Sequence, residues 1–209
     1  FSTEHRTGNI ISTLLVLNIE MKFKNKSKII GWDDGPFKFD QEEPVPVVGA
    51  ITRGGGRLDG LLKTEIEKDG LNGTARLAEA INESKHRRDL SLMALDGITF
   101  AGFNVIDIKD LAEKTGIPVL AVTRKRVDIE SFRSALSNLP EFKRRWQAVE
   151  NAGKIGETEI RGSKIFYQTA SFSFEEAERV ISLTASHSVI PEPVRLADLI
   201  SRTIVLGES

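Results

Sequence analysis

Three carboxylates in this chain stand where an apolar or alternating run gives way to glycine. They are Asp33 in Gly31-Trp32-Asp33-Asp34-Gly35, Asp69 in Lys68-Asp69-Gly70 and Asp96 in Leu95-Asp96-Gly97. A fourth, Asp198, closes the segment Pro191-Glu192-Pro193-Val194-Arg195-Leu196-Ala197-Asp198. A carboxylate at a strand end, with a glycine turn behind it, lies at the edge of a sheet. Several such groups on adjacent strands can converge, and their hard oxygen atoms suit divalent cations. The pattern therefore points to a metal-dependent enzyme.

These groups need a scaffold, and the bulk composition bounds it. The 209 residues contain no Pro/Ser/Gly-rich linker, so a single domain is expected over 21–209. Hydrophobic residues make up 40% and charged residues 28%, enough for an ordinary core. With no cysteine, the chain cannot use a disulfide scaffold, thiolate zinc, an iron–sulfur cluster or a cysteine nucleophile. That fits a reducing compartment, the cytoplasm. The apolar run Ile10–Ile19 is too short and too polar to span a membrane, and it lacks the features of a signal peptide. Met21 opens a segment that reads like a natural chain start, so residues 1–20 read as an extension with no assigned function.

The net charge of −1 gives no global attraction for polyanions. Basic residues are nonetheless clustered at Lys85-His86-Arg87-Arg88, Arg124-Lys125-Arg126 and Lys143-Arg144-Arg145, and among the lysines from Lys22 to Lys28. Each cluster alone reads as a solvated turn or helix end. Several on one face form a phosphate-binding track.

Period and punctuation assign the elements. Strands are expected at Lys28–Asp34, Val45–Thr52 and Leu58–Lys68, the last two joined as a hairpin by Arg53-Gly54-Gly55-Gly56-Arg57. Helical spacing follows over Gly73–Ser84, then buried strands Leu90–Leu95 and Ile117–Thr123 on either side of a helix at Ile106–Lys114. Helices at Ile129–Leu136 and Glu141–Ala152, a hairpin of Glu157–Ile160 with Lys164–Gln168, and helices at Phe174–Ser186 and Val194–Ile204 complete the chain. This order predicts an α/β fold: a mixed sheet of three antiparallel strands followed by parallel strands, flanked by helices.

Three segments carry a resemblance. Gly31-Trp32-Asp33-Asp34-Gly35-Pro36-Phe37, Leu95-Asp96-Gly97-Ile98-Thr99-Phe100-Ala101-Gly102-Phe103-Asn104 and Pro191–Ala197 resemble an archaeal family, domain of unknown function 99 or endonuclease dU. That family is similar to endonuclease V, a ribonuclease-H-like nuclease. Asp33, Asp96 and Asp198 match its Gly-x-Asp strand, Val-Asp-Gly strand end and Pro-Glu-Pro-x-Arg-x-Ala-Asp/His helix start. The resemblance implies a ribonuclease-H-like fold and a magnesium- or manganese-dependent endonuclease that cuts DNA near a deaminated base, uracil or inosine, in DNA repair. Two such ions about 4 Å apart activate a water and stabilise the leaving oxygen in phosphodiester hydrolysis. A base so recognised leaves the duplex for a pocket.

The resemblance also assigns roles. Asp33, Asp96 and Asp198 become metal ligands. A further acid is expected where the third strand meets the first helix, as Asp69 or, second, Glu67. Arg124, or Lys125 beside it, becomes the phosphate contact. Each has a plainer reading: Asp33 and Asp96 as turn residues, Asp69 and Glu67 as solvated edge residues, Asp198 as a first-turn helix acid and Arg124 as surface. Asp34 points to the opposite face from Asp33, and Glu192 with Arg195 reads as a structural pair. The family pattern has Asp where Asn72 stands, and the Arg53–Arg57 link carries no aromatic wedge of the kind expected there. It reads as a hairpin turn or a flexible basic DNA contact. Phe100 and Phe103 read as core before base-stacking, Trp32 and Trp146 as core or interface, and His5, His86 and His187 as surface. The alternative function is a catalytically weak or inactive nucleic-acid-binding protein of the same fold.

Overall fold

The computed structural model describes residues 26–38, 40–54 and 56–209, so the expectations for residues 1–20, Met21, His5 and the lysines before Lys26 lie outside the described residues. The chain forms β1 (Lys28–Asp34), β2 (Val45–Arg53), β3 (Arg57–Ile66), α1 (Gly73–Asn82), β4 (Leu90–Asp96), a short hairpin of β5 (Thr99–Phe100) and β6 (Asn104–Val105), then α2 (Ile108–Thr115), β7 (Val119–Thr123), α3 (Ile129–Ser137), α4 (Phe142–Asn151), β8 (Gly156–Ile160), β9 (Ser163–Ala170), α5 (Phe174–Thr184) and α6 (Glu192–Leu206). Seven strands make one sheet in the order β3-β2-β1-β4-β7-β9-β8. β1 pairs antiparallel with β2 and β2 with β3, β1–β4 and β4–β7 are parallel, and β9 runs antiparallel to β7 and β8. The expected mixed sheet flanked by helices is the architecture observed. Among the described residues no helix is long and apolar enough to cross a membrane.

Strand alternation divides the core between the two faces. Ile30 and Trp32 of β1 and Met93 and Leu95 of β4 join Leu77, Ile81 and Leu111 of α1 and α2. Ile29, Leu92 and Ala94 point the other way, against Val180 and Ile181 of α5 and Val194 of α6. Trp32 and Phe100 are core residues, at 0% and 1% exposure.

Helix α6 lies unusually close to β1. A methyl group on Gly31 would stand 2.1 Å from the Pro193 carbonyl carbon and 2.3 Å from the Val194 nitrogen. Ser201 Oγ donates to the Asp34 carbonyl at 3.0 Å, so the contact continues along the strand. The start of α6 is fixed by the expected pair: Arg195 donates to both oxygens of buried Glu192, at 2.8 and 2.6 Å.

Strand polarity locates the Arg53–Arg57 link. Because β2 is antiparallel to β1, Arg53 pairs with Lys28 and Val47 with Asp34. The Arg53–Arg57 link therefore sits at the opposite end of the sheet from Asp33, about 17 Å along a strand rising ~3.3 Å per residue.

The Gly31 contact predicts that Gly31→Ala costs about 3 kcal/mol or more, since backbone rather than a flexible side chain blocks the methyl. Thermal denaturation should show a fall of about 6–12 °C. Gly56→Ala, where nothing lies within 4 Å, should change stability by less than about 1 kcal/mol. Equal effects of the two substitutions would contradict the close approach.

Candidate active site

β1 and β4 run parallel with Trp32 opposite Leu95, so Asp33 and Asp96 follow side by side on neighbouring strands. Parity puts both on the face that carries Ile29, Leu92 and Ala94, which is the face α6 covers. Asp198, half-buried on α6, is the third carboxylate there.

The three share one electrostatic field. Asp33 is 7% exposed. Burial, then the charges of Asp96, Asp34 and Asp198, push its carboxyl up to about 9, against a 2.9 Å hydrogen bond that its Oδ1 accepts from the Asp34 amide. Asp96 is also raised by burial, with Arg124 opposing and Asp198 adding to the rise. Asp198 accepts a 2.7 Å hydrogen bond from Arg202 Nε, and Asp33 also acts on Arg202. Arg202 was missed in the sequence, although its spacing of four residues from Asp198 on a helix is a recognisable pairing signal. Exposed Arg124 follows β7 directly, and its charge reaches Asp96. The backbone amide and carbonyl of Lys125, whose side chain is exposed, bond Thr123 Oγ1 at 3.3 Å.

Asp34 leaves this cluster for the other face, as alternation requires. Its Oδ2 accepts from the Ala101 amide at 2.8 Å. Asp69 is engaged there too. It sits at φ 51°, donates its amide to the Ala101 carbonyl at 2.8 Å and accepts from the Phe103 amide on Oδ1 at 2.8 Å. The exposed Glu67 contributes its carbonyl to Asn104 Nδ2 at 3.0 Å. Asn72 accepts from Asn104 Nδ2 at 2.9 Å and from the Glu67 amide at 3.2 Å.

Arg145 ties this junction down. It is 4% exposed. Its guanidinium donates to the carbonyls of Pro140 (2.9 Å), Gly70 (2.9 Å), Phe103 (2.7 Å) and Asp69 (2.6 Å). The cluster Lys143-Arg144-Arg145 thus loses its last member to the interior, while Lys143 and Arg144 stay exposed. Trp146 packs on Phe142, with ring centroids 6.2 Å apart, and Phe103 lies 6.1 Å from Phe132. Both aromatics belong to the small cluster around α3 and α4.

Beside Asp96 opens a cavity of about 350 Å³, lined among others by Gly97, Thr99, Thr123, Phe132, Phe166 and Gln168. Exposed Val127 and Ile129 also line it. Its volume falls in the lower part of the range of small-molecule sites.

Among the described residues no group of three or more Asp, Glu or His side chains stands close enough, as arranged, to hold one ion. The donor chemistry nevertheless fits magnesium or manganese. Both favour carboxylate oxygens, and Mg²⁺ is commonly held by one or two carboxylates with water and phosphate oxygens completing the shell. Buried Asp33 and half-buried Asp96, whose charge raises Asp33, supply that pair, with Asp198 at its rim.

The chain is similar to known proteins over most of its length. The model of a family described as Endonuclease dU matches residues 25–205. A UPF0215 protein of Methanothermobacter thermautotrophicus is 41% identical over 189 residues, 90% of this chain and 92% of that one. A protein of unknown function from Archaeoglobus fulgidus has a crystal structure similar at TM-score 0.77 and 37% identity, covering 86% of this chain and 98% of that chain. Endonuclease V of Ciona intestinalis, solved with DNA containing an inosine followed by a ribo-adenosine, matches at TM-score 0.56 and 15% identity over 86% of each chain. The fold is ribonuclease-H-like.

The raised Asp33 carboxyl sets a pH dependence. Between the ordinary carboxylate range and about 9, the folded chain holds a proton that the unfolded chain has released. Metal-free stability therefore falls as pH rises through that window. Asp33→Asn should make the slope shallower and raise metal-free stability near pH 8 by about 1–3 kcal/mol, roughly 3–10 °C in thermal melts. Identical slopes for the two proteins would contradict the buried charge cluster.

Proposed function

The chain belongs to the endonuclease dU family, and on that premise we propose that it is a divalent-metal-dependent endonuclease hydrolysing a DNA phosphodiester near a deaminated base. One observation carries the reading: Asp33, Asp96 and Asp198, from two strands and a helix, act on one another at one end of the sheet, with Asp33 buried. No fold-level need explains such a cluster, which opposes folding wherever its members are charged.

In this reading Asp33, Asp96 and Asp198 hold magnesium or manganese, which when bound supplies positive charge and an activated water to the scissile phosphodiester. Arg124, whose charge already reaches Asp96, donates to a phosphate oxygen and fixes the strand against the carboxylates. The cavity beside Asp96 takes an extruded base, uracil or inosine, between Phe132 and Phe166, with Thr99, Thr123 and Gln168 offering polar edges. Asp69 acts as a positioning residue: by accepting from Phe103 it holds the hairpin β5–β6 that follows Asp96. Residues 21–209 serve as one domain, and the reaction belongs to DNA repair in the cytoplasm.

A second reading, a nucleic-acid-binding protein without catalysis, is favoured by one observation. The position of a further acid is filled by Asp69 and Asn72, both bonded into the hairpin network.

Nicking of DNA carrying uracil or inosine separates the two. Asp96→Asn should lower the Mg²⁺-dependent rate about a hundredfold or more while the melting curve persists. Nicking by the unmodified chain that continues in chelator would contradict the metal-dependent reading, and salt-sensitive DNA binding without any nicking would select the second. Asp69→Asn, which keeps an acceptor for the Phe103 amide, should retain nicking within about threefold, whereas Asp69→Ala should lose about 1–3 kcal/mol of stability. A hundredfold loss with Asp69→Asn in a stably folded protein would make Asp69 a ligand instead.

A further inference from the structure

The basic clusters of the sequence separate in the structure. Arg124 lies beside the carboxylates and Arg145 is internal. The remaining groups, far apart in sequence, meet at the opposite end of the sheet. Lys28 is in register with both Arg53 and Leu90, and Arg53 with Arg57. Lys28 Nζ bridges Asp59 at 3.1 Å and Asp89 at 3.0 Å, and Arg53 Nη2 reaches Asp59 at 2.8 Å. A methyl group on Gly60 would lie 3.0 Å from His86 Nε2, so the turn at Lys85–Asp89 packs directly against the start of β3.

Lys26, Lys28, Arg53, Arg57, Lys85 and Arg88 therefore lie at this end of the sheet, where Asp59 and Asp89 pair with Lys28 and Arg53, in a chain whose net charge is −1. Lys26, Arg57, Lys85 and Arg88 are exposed. None of these four takes part in an ion pair found among the described residues. Nothing lies within 4 Å of the missing Gly56 side chain, so the turn between Arg53 and Arg57 lets another backbone approach.

We propose that this end of the molecule is a second, sequence-independent contact for the phosphate backbone of nucleic acid, remote from the carboxylates. Lys28 and Arg53 are held by Asp59 and Asp89 and act as the frame, while Arg57, Lys85 and Arg88 reach the phosphates. Such a contact gains its affinity from counterion release and needs no apolar anchor. The local excess of positive charge supplies the attraction that the whole-molecule charge does not. The choice of nucleic acid as the polyanion rests on the nuclease reading, while the convergence of charge does not.

The test combines Arg57→Gln, Lys85→Gln and Arg88→Gln in the full chain and follows binding to long duplex DNA by fluorescence anisotropy over a series of salt concentrations. The expected result is a salt slope smaller by about 2–3 and an affinity about tenfold to a hundredfold lower, with an unaltered melting temperature and unchanged nicking of a saturating short substrate. An unchanged slope and affinity would overturn the inference, and so would a variant that keeps its DNA affinity but loses binding to poly-glutamate, which would mark an acidic protein partner. If the unmodified chain never nicks DNA but the triple variant still loses its salt-dependent affinity, this contact stands and the nuclease reading falls.

Discussion

The approach of α6 to β1 at Gly31 is the constraint on which the carboxylate end depends. With the Pro193 backbone where the Gly31 side chain would otherwise be, the helix runs along the strand and brings Asp198 into the field of Asp33 and Asp96. The parallel register of β1 and β4 does the rest by setting Asp33 beside Asp96. Burial and mutual repulsion then hold the Asp33 carboxyl far above its ordinary range. A fold selected for stability alone has no use for this arrangement. A cation, or a phosphate brought with one, relieves it, and that is the trade between stability and function expected at a reacting centre.

A second network begins at Asp34, the residue after Asp33. Asp34 and Asp69 accept from the amides of Ala101 and Phe103, Asn104 bridges Asn72 and Glu67, and Arg145 gathers four carbonyls from three segments. Each nitrogen of this buried guanidinium finds an oxygen, which is what a buried cation requires. The hairpin β5–β6 is thereby held over the end of β4. The same network engages Asp69 through the Ala101 carbonyl and the Phe103 amide.

Much of this was legible in the sequence because strand alternation and glycine turns are local signals. Asp33 and Asp96 could be read as strand-end carboxylates, Glu192 and Arg195 as a pair, and Trp32 as core. What the residues did not disclose depended on contacts between distant segments. The Arg53–Arg57 link reads as basic and exposed, but which end of the sheet it occupies follows only from strand polarity. Arg145 reads as one of three surface cations until α4 turns it inward onto Gly70 and Phe103. The β5–β6 hairpin has two-residue strands, too short to carry a period. The helix after it begins at Ile108 rather than Ile106 because Asp107 caps it, accepting from the amides of Lys109 and Asp110.

The central claim is that Asp33, Asp96 and Asp198 form one metal centre. Anomalous diffraction from crystals of the protein soaked in Mn²⁺ tests it most directly. The expected result is a manganese peak between Asp33 and Asp96, with Asp198 turned from Arg202 toward it and Asp69 still bonded to Phe103. An occupied site elsewhere, or no peak among these three carboxylates at saturating Mn²⁺, would contradict it.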